Sequence, residues 1–125
     1  MAPLTIGSTL KLHSGNEIPI LGFGVAASPK HLTTQSCLEA LKIGYRHIDT
    51  AEVYGNEVEV KEAVSTSSIA SKDVFIIVKV FTSGSDVAAT YEKCMSSIQK
   101  IDGEDCGRVH QSIAYTQCIS RSVWH

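Results

Sequence analysis

Three polar side chains stand where short apolar runs end, and their types fit proton transfer. Asp49 closes the run YRHID, Tyr54 follows five residues later, and Lys79 lies near the end of VFIIVKV. A free phenol ionises at a pH of about 10, so it is a poor acid or base near neutrality. A lysine ammonium beside the phenol oxygen favours the phenolate, and an aspartate paired with that lysine keeps the ammonium in place. Together the three side chains would donate a proton to a carbonyl oxygen, while a bound cofactor supplied the hydride.

The same three residues also have a purely structural interpretation. An ion pair between Asp49 and Lys79 at the ends of two strands needs no chemical role, because structural ion pairs occur there as well. Tyr54 would then be an ordinary loop aromatic. The spacing alone favours neither interpretation over the other.

The elements that must hold these side chains follow a pattern of strands alternating with helices. The runs LGFGV, YRHID and VFIIVKV are each followed by a segment with helical spacing of apolar residues. Ahead of them, residues 9–22 carry turn chemistry around Gly15 and predict a β-hairpin. Because VFIIVKV is apolar on both faces, we predict an α/β fold with a parallel sheet covered by helices. Active sites of parallel α/β folds lie at the carboxyl ends of the strands, so the three polar side chains are predicted to lie at the same rim of the sheet.

Each predicted helix has recognisable ends. The first should take Pro29 as its first residue and end at Gly44, and the third should begin near Asp86. The second should begin at Asn56, which together with Glu59 resembles a capping box. The side chains predicted to face the interior are Leu32, Cys37, Leu38 and Leu41 in the first helix, Val60, Ala63 and Val64 in the second, one face of Val87, Tyr91, Cys94, Met95 and Ile98 in the third, and His47, which is expected to face a helix.

The glycines of the first strand allow two interpretations. Gly22, Gly24 and Ala27 fit the dinucleotide-binding pattern G-x-G-x-x-A, with Asp49 where a ribose-binding acid would lie. Against a Rossmann fold, the pyrophosphate would need a helix to begin within the glycine turn, and here Pro29 delays the helix. Glycines that allow close packing at a strand end would account for the same residues.

Composition excludes several classes of protein. The chain has 125 residues, 43% hydrophobic and 19% charged, with a net charge of −2, as expected of one globular unit. Its 11 Lys and Arg residues are scattered, so we expect neither a nucleic-acid nor a membrane partner. No secretory signal or long apolar run is evident, and we expect a cytoplasmic protein. The cysteines, which are Cys37, Cys94, Cys106 and Cys118, lack ligand spacing, so no metal or disulfide is predicted.

The alternating pattern fails after Lys100. An α/β chain should deliver another apolar strand there, but residues 101–125 never sustain an apolar run of strand length. Their composition is that of a loop or a disordered tail. We therefore predict a folded part over residues 1–104 and an irregular tail over residues 105–125.

The quoted motifs resemble one protein family. LGFGV, GYRHIDTAEVYGNE and DVFIIVKV, in that order and spacing, are similar to the aldo-keto reductases, (β/α)8 barrels that reduce carbonyls with NADPH. The resemblance runs from about residue 9 to about residue 101. It implies that Asp49, Tyr54 and Lys79 match three of the family's four catalytic residues, with Tyr54 as the acid. The further positions it implies are Gly24, Val25 and Asp49 near the nicotinamide ribose, Phe81 at an aromatic wall, and Ala26 where a larger residue is common.

The chain also departs from that family. The fourth catalytic residue is a histidine that ends the fourth strand, and no apolar strand leads to His110, so that role is not assigned. A complete barrel takes about 250 residues, so we expect the N-terminal part of a TIM barrel, a truncated member that lacks most of the NADPH site. By itself, such a chain would reduce a small carbonyl compound slowly or not at all. The family reaction would belong to a biosynthetic pathway such as secondary metabolism. The alternative is a non-catalytic or regulatory remnant that associates through its open sheet edges.

Overall fold

A computed structural model describes residues 3–81 and 86–102, together with the backbone of residues 113–116. The strands are β1 (Thr9–Lys11), β2 (Glu17–Pro19), β3 (Phe23–Gly24), β4 (His47–Ala51), β5 (Phe75–Val80) and β6 (Ile113–Thr116). The helices are α1 (Lys30–Lys42), α2 (Glu57–Thr66) and α3 (Val87–Asp102), with short 3-10 turns at Glu52–Tyr54 and Ser71–Asp73. No helix within these residues combines the length and apolarity needed to cross a bilayer.

The strands form two sheets. Strands β1 and β2 pair antiparallel, which confirms the predicted hairpin, and Gly15 adopts the positive φ of 91° that its turn requires. Strands β3, β4, β5 and β6 form a parallel sheet in that order. Three helices connect strands that lie side by side in this sheet, so the predicted alternation of parallel strands and helices is confirmed.

The core lies between one face of the parallel sheet and the helices. Ile48 from β4 and Ile76 and Val78 from β5 point into it, since alternate residues of a strand share a face. The remaining buried members of the cluster are Val25, Cys37, Leu41, Val60, Ala63, Val64, Val74 and Ile101. The opposite face of the sheet carries His47 and Asp49, the residues on either side of Ile48. The prediction that His47 faces a helix was therefore wrong. Its neighbour Ile48 faces the helices, and His47 lies on the other side of the sheet.

Helix α1 differs from its prediction in two details. Pro29 has a ψ of 137° and precedes the helix, which begins at Lys30. Leu32 was predicted to be buried but is 49% exposed. Its neighbour Thr33 takes the inward position, because its hydroxyl donates to the carbonyl of Pro29 at 3.0 Å and needs no water there. Gly44 follows the helix with a φ of 115°, as the predicted end requires.

The predicted inward face of helix α3 is found only toward its C-terminal end, where Cys94, Met95 and Ile98 are partly buried. Val87 and Tyr91 are 84% and 65% exposed, whereas Ser97 and Ile101 are buried. Helix α3 packs against α2 and β5, and its fully buried residues lie near its C-terminal end, whereas its first turns are the exposed part.

Strand β6 corrects the expectation that no strand follows Lys100. Residues 113–116 pair in parallel with β5 from Ile77 to Val80. The segment reads IAYT, and its β-branched and aromatic residues favour strands even though the run is short. The open edge of β5 offers unpaired backbone N–H and C=O groups to which β6 bonds. The pattern of residues in β6 gives no sign of that partner. The remaining residues of the predicted tail, and the domain boundary at residue 104, lie outside the described residues.

Candidate active site

The rim at the carboxyl ends of β3, β4 and β5 holds the residues predicted to do chemistry. Gly24 pairs with Asp49 in the β3–β4 register, and Ala51 pairs with Lys79 in the β4–β5 register. Asp49 and Ala51 are two residues apart and therefore share a face of the sheet. This register brings Asp49 and Lys79 together on the face opposite the helices.

Asp49 and Lys79 form an ion pair in which the Lys79 ammonium donates to Asp49 Oδ1. Their side chains are 36% and 25% exposed, so the pair is neither sealed in the core nor freely solvated. The Lys79 Nζ atom also lies 5.1 Å from the centroid of the Tyr54 ring, within the range of a cation–π contact. The Lys79 ammonium thus contacts Asp49 as predicted, and its contact with Tyr54 is with the ring, whereas the prediction placed it beside the phenol oxygen.

A short turn carries Tyr54 to this place. Residues Glu52–Tyr54 form one 3-10 turn, which Gly55 closes with a left-handed φ of 65°. Tyr54 is half-buried and packs against the edge of the core cluster. The turn follows β4 directly, so Tyr54 stays beside the strand that carries Asp49.

Asn56 corrects the predicted capping box. It occupies the position before α2, but its side chain makes no cap hydrogen bond. Its amide instead donates to the Val25 carbonyl at 3.0 Å and accepts from the Thr50 hydroxyl at 2.8 Å. These two partners are 31 and 6 residues away in sequence, so the local pattern with Glu59 could not reveal them.

Sequence reasoning missed a polar cluster on the exposed side of the same turn. Glu52 accepts the backbone N–H of Phe81 at 3.3 Å and pairs with Lys93 Nζ at 3.3 Å. Lys93 also donates to the Phe81 carbonyl at 2.9 Å. The cluster joins the Tyr54 turn to the end of β5 and to α3. An acid between Asp49 and Tyr54 was the only available signal, and its partners are remote in sequence.

The positions predicted to hold a cofactor have different surroundings. A Cβ atom built on Gly24 would meet no atom within 4 Å, so space is open above its backbone beside Asp49. The Val25 side chain is 1% exposed and belongs to the core. Its N–H donates to the Asp49 carbonyl at 3.0 Å, so only Gly24 and Asp49 offer free surface to a ligand here. The open backbone beside a carboxylate fits the sugar and flat ring of a nicotinamide nucleotide.

The two predicted substrate residues lie on either side of this opening. Ala26 is exposed just beyond β3, and Phe81 is 43% exposed just beyond β5. Both are at the rim that holds Asp49 and Lys79. His110, which was left without a role, lies outside the described residues.

Comparison with known proteins identifies the family. Residues 21–103 match the model of the aldo/keto reductase family, which is more than half of the chain. This chain belongs to the aldo/keto reductase family. An aldo-keto reductase of Mycolicibacterium smegmatis is 37% identical over 92 residues, which are 74% of this chain and 34% of that protein. Aldehyde reductase YPR1 of Saccharomyces cerevisiae is 40% identical over 92 residues, 73% of this chain and 30% of that protein.

Solved structures of aldo-keto reductases share the fold. The enzyme from Brucella melitensis superposes with a TM-score of 0.71 at 39% identity, covering 80% of this chain and 38% of that one. MGS-M4, from a Medee basin deep-sea metagenome library, gives a TM-score of 0.70 at 35% identity, covering 74% and 34%. The predicted fold, the N-terminal part of a (β/α)8 barrel, is confirmed. The chain spans about a third of the length of the relatives it matches.

The start of α1 decides between the two interpretations of the glycines near β3, and the decision agrees with membership of the aldo/keto reductase family. Helix α1 begins at Lys30, and Ala27 with a φ of 56° stands between it and Gly24. Because α1 begins only at Lys30, its N-terminus does not lie within the glycine turn as a dinucleotide fingerprint requires, and the Rossmann alternative is rejected. Gly22 has a packing role, because a Cβ atom there would lie 2.9 Å from His47 Nδ1.

The described cysteines have no place in the site. Cys37 is fully buried in the core, and burial raises the pKa of its thiol from 9.0 to about 11. A thiol with that pKa is almost entirely protonated at neutral pH and is a poor nucleophile. Cys37 and Cys94 are both free thiols, while Cys106 and Cys118 lie outside the described residues.

Proposed function

We propose that this chain carries the proton-donating site of an NADPH-dependent carbonyl reductase, with Tyr54 as the acid. The single observation that supports this most strongly is the position of the Lys79 ammonium. It contacts the Asp49 carboxylate and lies over the Tyr54 ring, at the open rim of a parallel sheet. A purely structural ion pair would not need a tyrosine turn held beside it.

The proposed chemistry transfers a proton from Tyr54 to the substrate oxygen. A bound nicotinamide dinucleotide would supply the hydride that reaches the carbonyl carbon. As negative charge develops on the carbonyl oxygen, the Tyr54 hydroxyl donates its proton and becomes a phenolate. Lys79 stabilises that phenolate, and Asp49 holds the lysine in place.

The surroundings of the rim suggest where the reactants would bind. Gly24 and Asp49 would contact the nicotinamide ribose, with the Val25 backbone beside them. Ala26 and Phe81 would border the carbonyl substrate. Because one similar protein is named an aldehyde reductase, an aldehyde is the substrate class to test first.

The extent of the chain limits the expected rate. The matched region is about a third of the length of the relatives, so we propose slow turnover by this chain alone. Binding energy that would hold the cofactor in the transition state is correspondingly reduced. As separate proposals, we place the protein in the cytoplasm and its reaction in a biosynthetic pathway.

A second candidate function is a non-catalytic piece that associates with another chain. The exposed apolar side chains of α3 favour it, since Val87 and Tyr91 are 84% and 65% exposed. Association with a second copy or a longer relative would cover them. Sedimentation of the purified chain would detect such association, whereas a folded monomer would count against it.

The test of the enzymatic proposal is NADPH consumption with a generic aldehyde by the wild-type chain and two tyrosine variants. Tyr54→Phe removes the proposed acid, and Tyr91→Phe removes a hydroxyl from an exposed tyrosine of α3. We expect Tyr54→Phe to lower kcat by about 10²–10⁴-fold, the usual contribution of a positioned acid, and Tyr91→Phe to leave it unchanged. Equal activity of the two variants would refute the role of Tyr54, and no turnover by the wild type would favour the non-catalytic alternative.

A further inference from the structure

We propose that Asn56 is a positioning residue that holds the Tyr54 turn against the site, through a closed ring of hydrogen bonds with Thr50 and Val25. This inference rests on the proposed role of Tyr54 as the acid. Asn56 itself is fully buried, and its one contact with the proposed cofactor positions is to the Val25 carbonyl. Its effect would reach the chemistry through the backbone that carries Tyr54.

The ring joins three segments of the rim. Asn56 Nδ2 donates to the Val25 carbonyl at 3.0 Å, and the Thr50 hydroxyl donates to Asn56 Oδ1 at 2.8 Å. The Val25 N–H donates to the Asp49 carbonyl at 3.0 Å, and the peptide bond from Asp49 to Thr50 closes the ring. The three segments are the residue directly after β3, the Asp49–Thr50 part of β4 and the residue directly before α2.

Each member of the ring lies next to a residue of the proposed site. Val25 follows Gly24, Thr50 follows Asp49, and Asn56 is two residues beyond Tyr54. A shift of the Tyr54 turn would therefore have to break a bond that also holds the Asp49 strand or the Gly24 strand.

The turn itself offers little other anchoring on its buried side. Residues Glu52–Tyr54 include no fully buried residue, although Tyr54 packs against the core edge. Glu52 makes its bonds to Phe81 and Lys93 on the exposed side. Asn56 provides the matching attachment on the buried side.

The bonding of Asn56 is not what its position alone would favour. Asparagine before a helix is among the best caps, because its side chain accepts a backbone N–H of the first turn. Here the side chain makes no cap bond, and both of its polar atoms form hydrogen bonds with residues outside the helix. Asn56 thus gives up its preferred capping role for contacts at the rim, and such departures from local preference are expected near functional sites.

The test uses Thr50→Val, Thr50→Ser and Asn56→Ala, with Thr33→Val as the matched control. Thr50 and Thr33 are both fully buried and both donate a hydroxyl hydrogen bond, but Thr33 donates to Pro29, the residue directly before its own helix, and not to the Tyr54 turn. The first readout is amide hydrogen exchange at Tyr54 and Gly55, normalised to core amides of β5. The second is kcat and KM for the aldehyde.

We expect Thr50→Val and Asn56→Ala to accelerate exchange at Tyr54 and Gly55 by about tenfold or more over the change at the β5 amides. Where the wild type turns over, kcat should fall by about 10–100-fold with KM little changed, because a small misplacement of a reacting group costs that much. Thr50→Ser, which keeps the hydroxyl, should restore both readouts.

Equal behaviour of Thr50→Val and Thr33→Val at the Tyr54 turn would overturn the proposal. So would a uniform increase in exchange across β5 and the turn, which would mark a purely structural role. The exchange readout does not depend on catalysis, so it tests the positioning role even if the wild-type chain fails to consume NADPH. That failure would count against the proposed function alone.

Discussion

Replacing Gly22 with alanine tests whether this glycine serves packing, as the structure indicates, or a nucleotide cradle, as its sequence pattern suggests. A Cβ atom at Gly22 would lie 2.9 Å from His47 Nδ1, 3.0 Å from Cε1 and 3.1 Å from Cγ. Carbon atoms in contact normally stay about 3.5–4.0 Å apart, so the imidazole would have to move. Gly24 lies two residues away and has no atom within 4 Å of its built Cβ. It is the matched control.

The cost follows from what holds the His47 ring. Its Nδ1 atom is 2.9 Å from the Pro19 carbonyl, and its ring packs edge-on against Phe75 with centroids 5.6 Å apart. Moving the ring would lose a hydrogen bond worth about 1 kcal/mol and force a side chain off its rotamer for about 0.5–1.5 kcal/mol. We therefore expect Gly22→Ala to lower the free energy of unfolding by about 1–3 kcal/mol, the usual cost of overpacking.

The assay is urea unfolding followed by far-UV circular dichroism. Gly22→Ala and Gly24→Ala reduce the entropy of the unfolded chain equally, so their difference in unfolding free energy isolates the contact with His47. In a His47→Ala background the Gly22→Ala substitution should become nearly neutral, since the obstructing ring is gone. Equal stability of the two glycine variants in the wild-type background would refute the packing argument.

Three further outcomes follow from single contacts. Lys100→Met should lower the free energy of unfolding by about 2 kcal/mol in urea titration, because Glu57 is 2% exposed and would lose its ion-pair partner at 2.9 Å. Adding Glu57→Gln to this variant should recover part of the lost stability. Since the pKa of Cys37 is about 11, roughly one thiol in a thousand is ionised at pH 8, and Cys37 should react with iodoacetamide at least about tenfold more slowly than half-buried Cys94. Equal labelling rates in mass spectrometry would contradict this. Asp86→Ala should cost about 0.5–2 kcal/mol, because Asp86 Oδ1 accepts a backbone N–H of the first turn of α3 at 3.0 Å, and an unchanged urea midpoint would count against that cap.

The main architecture could be predicted because it depends on local periodicity. Short apolar runs alternating with helical spacing predict a parallel sheet covered by helices. The rule that carboxyl ends of parallel strands meet at one edge then brings Asp49 and Lys79 together without knowledge of register. The tyrosine turn follows because Tyr54 stands so soon after β4.

The parts that could not be predicted depend on contacts between remote residues. Asn56 has a strong local preference for capping, and only the fold brings Val25 and Thr50 within reach of its amide. Tyr91 belongs to an apolar helical face, but burial depends on what packs against it, and the described chain leaves it 65% exposed. Strand β6 forms on the open edge of β5, and although its residue types favour strands, four residues are too short a run to predict one.

The most direct test of the proposed site is an NMR titration of the isotopically labelled chain with NADPH, followed through its backbone amides. Binding at this site should give saturable shift changes that concentrate at the rim around the Asp49–Lys79 pair, at Gly24, Val25, Asp49, Tyr54 and Phe81. Changes confined to the groove between α1 and α2, which is lined by Lys30, Thr34 and Glu62, or none at about millimolar NADPH, would contradict the claim that this rim is the cofactor and substrate site.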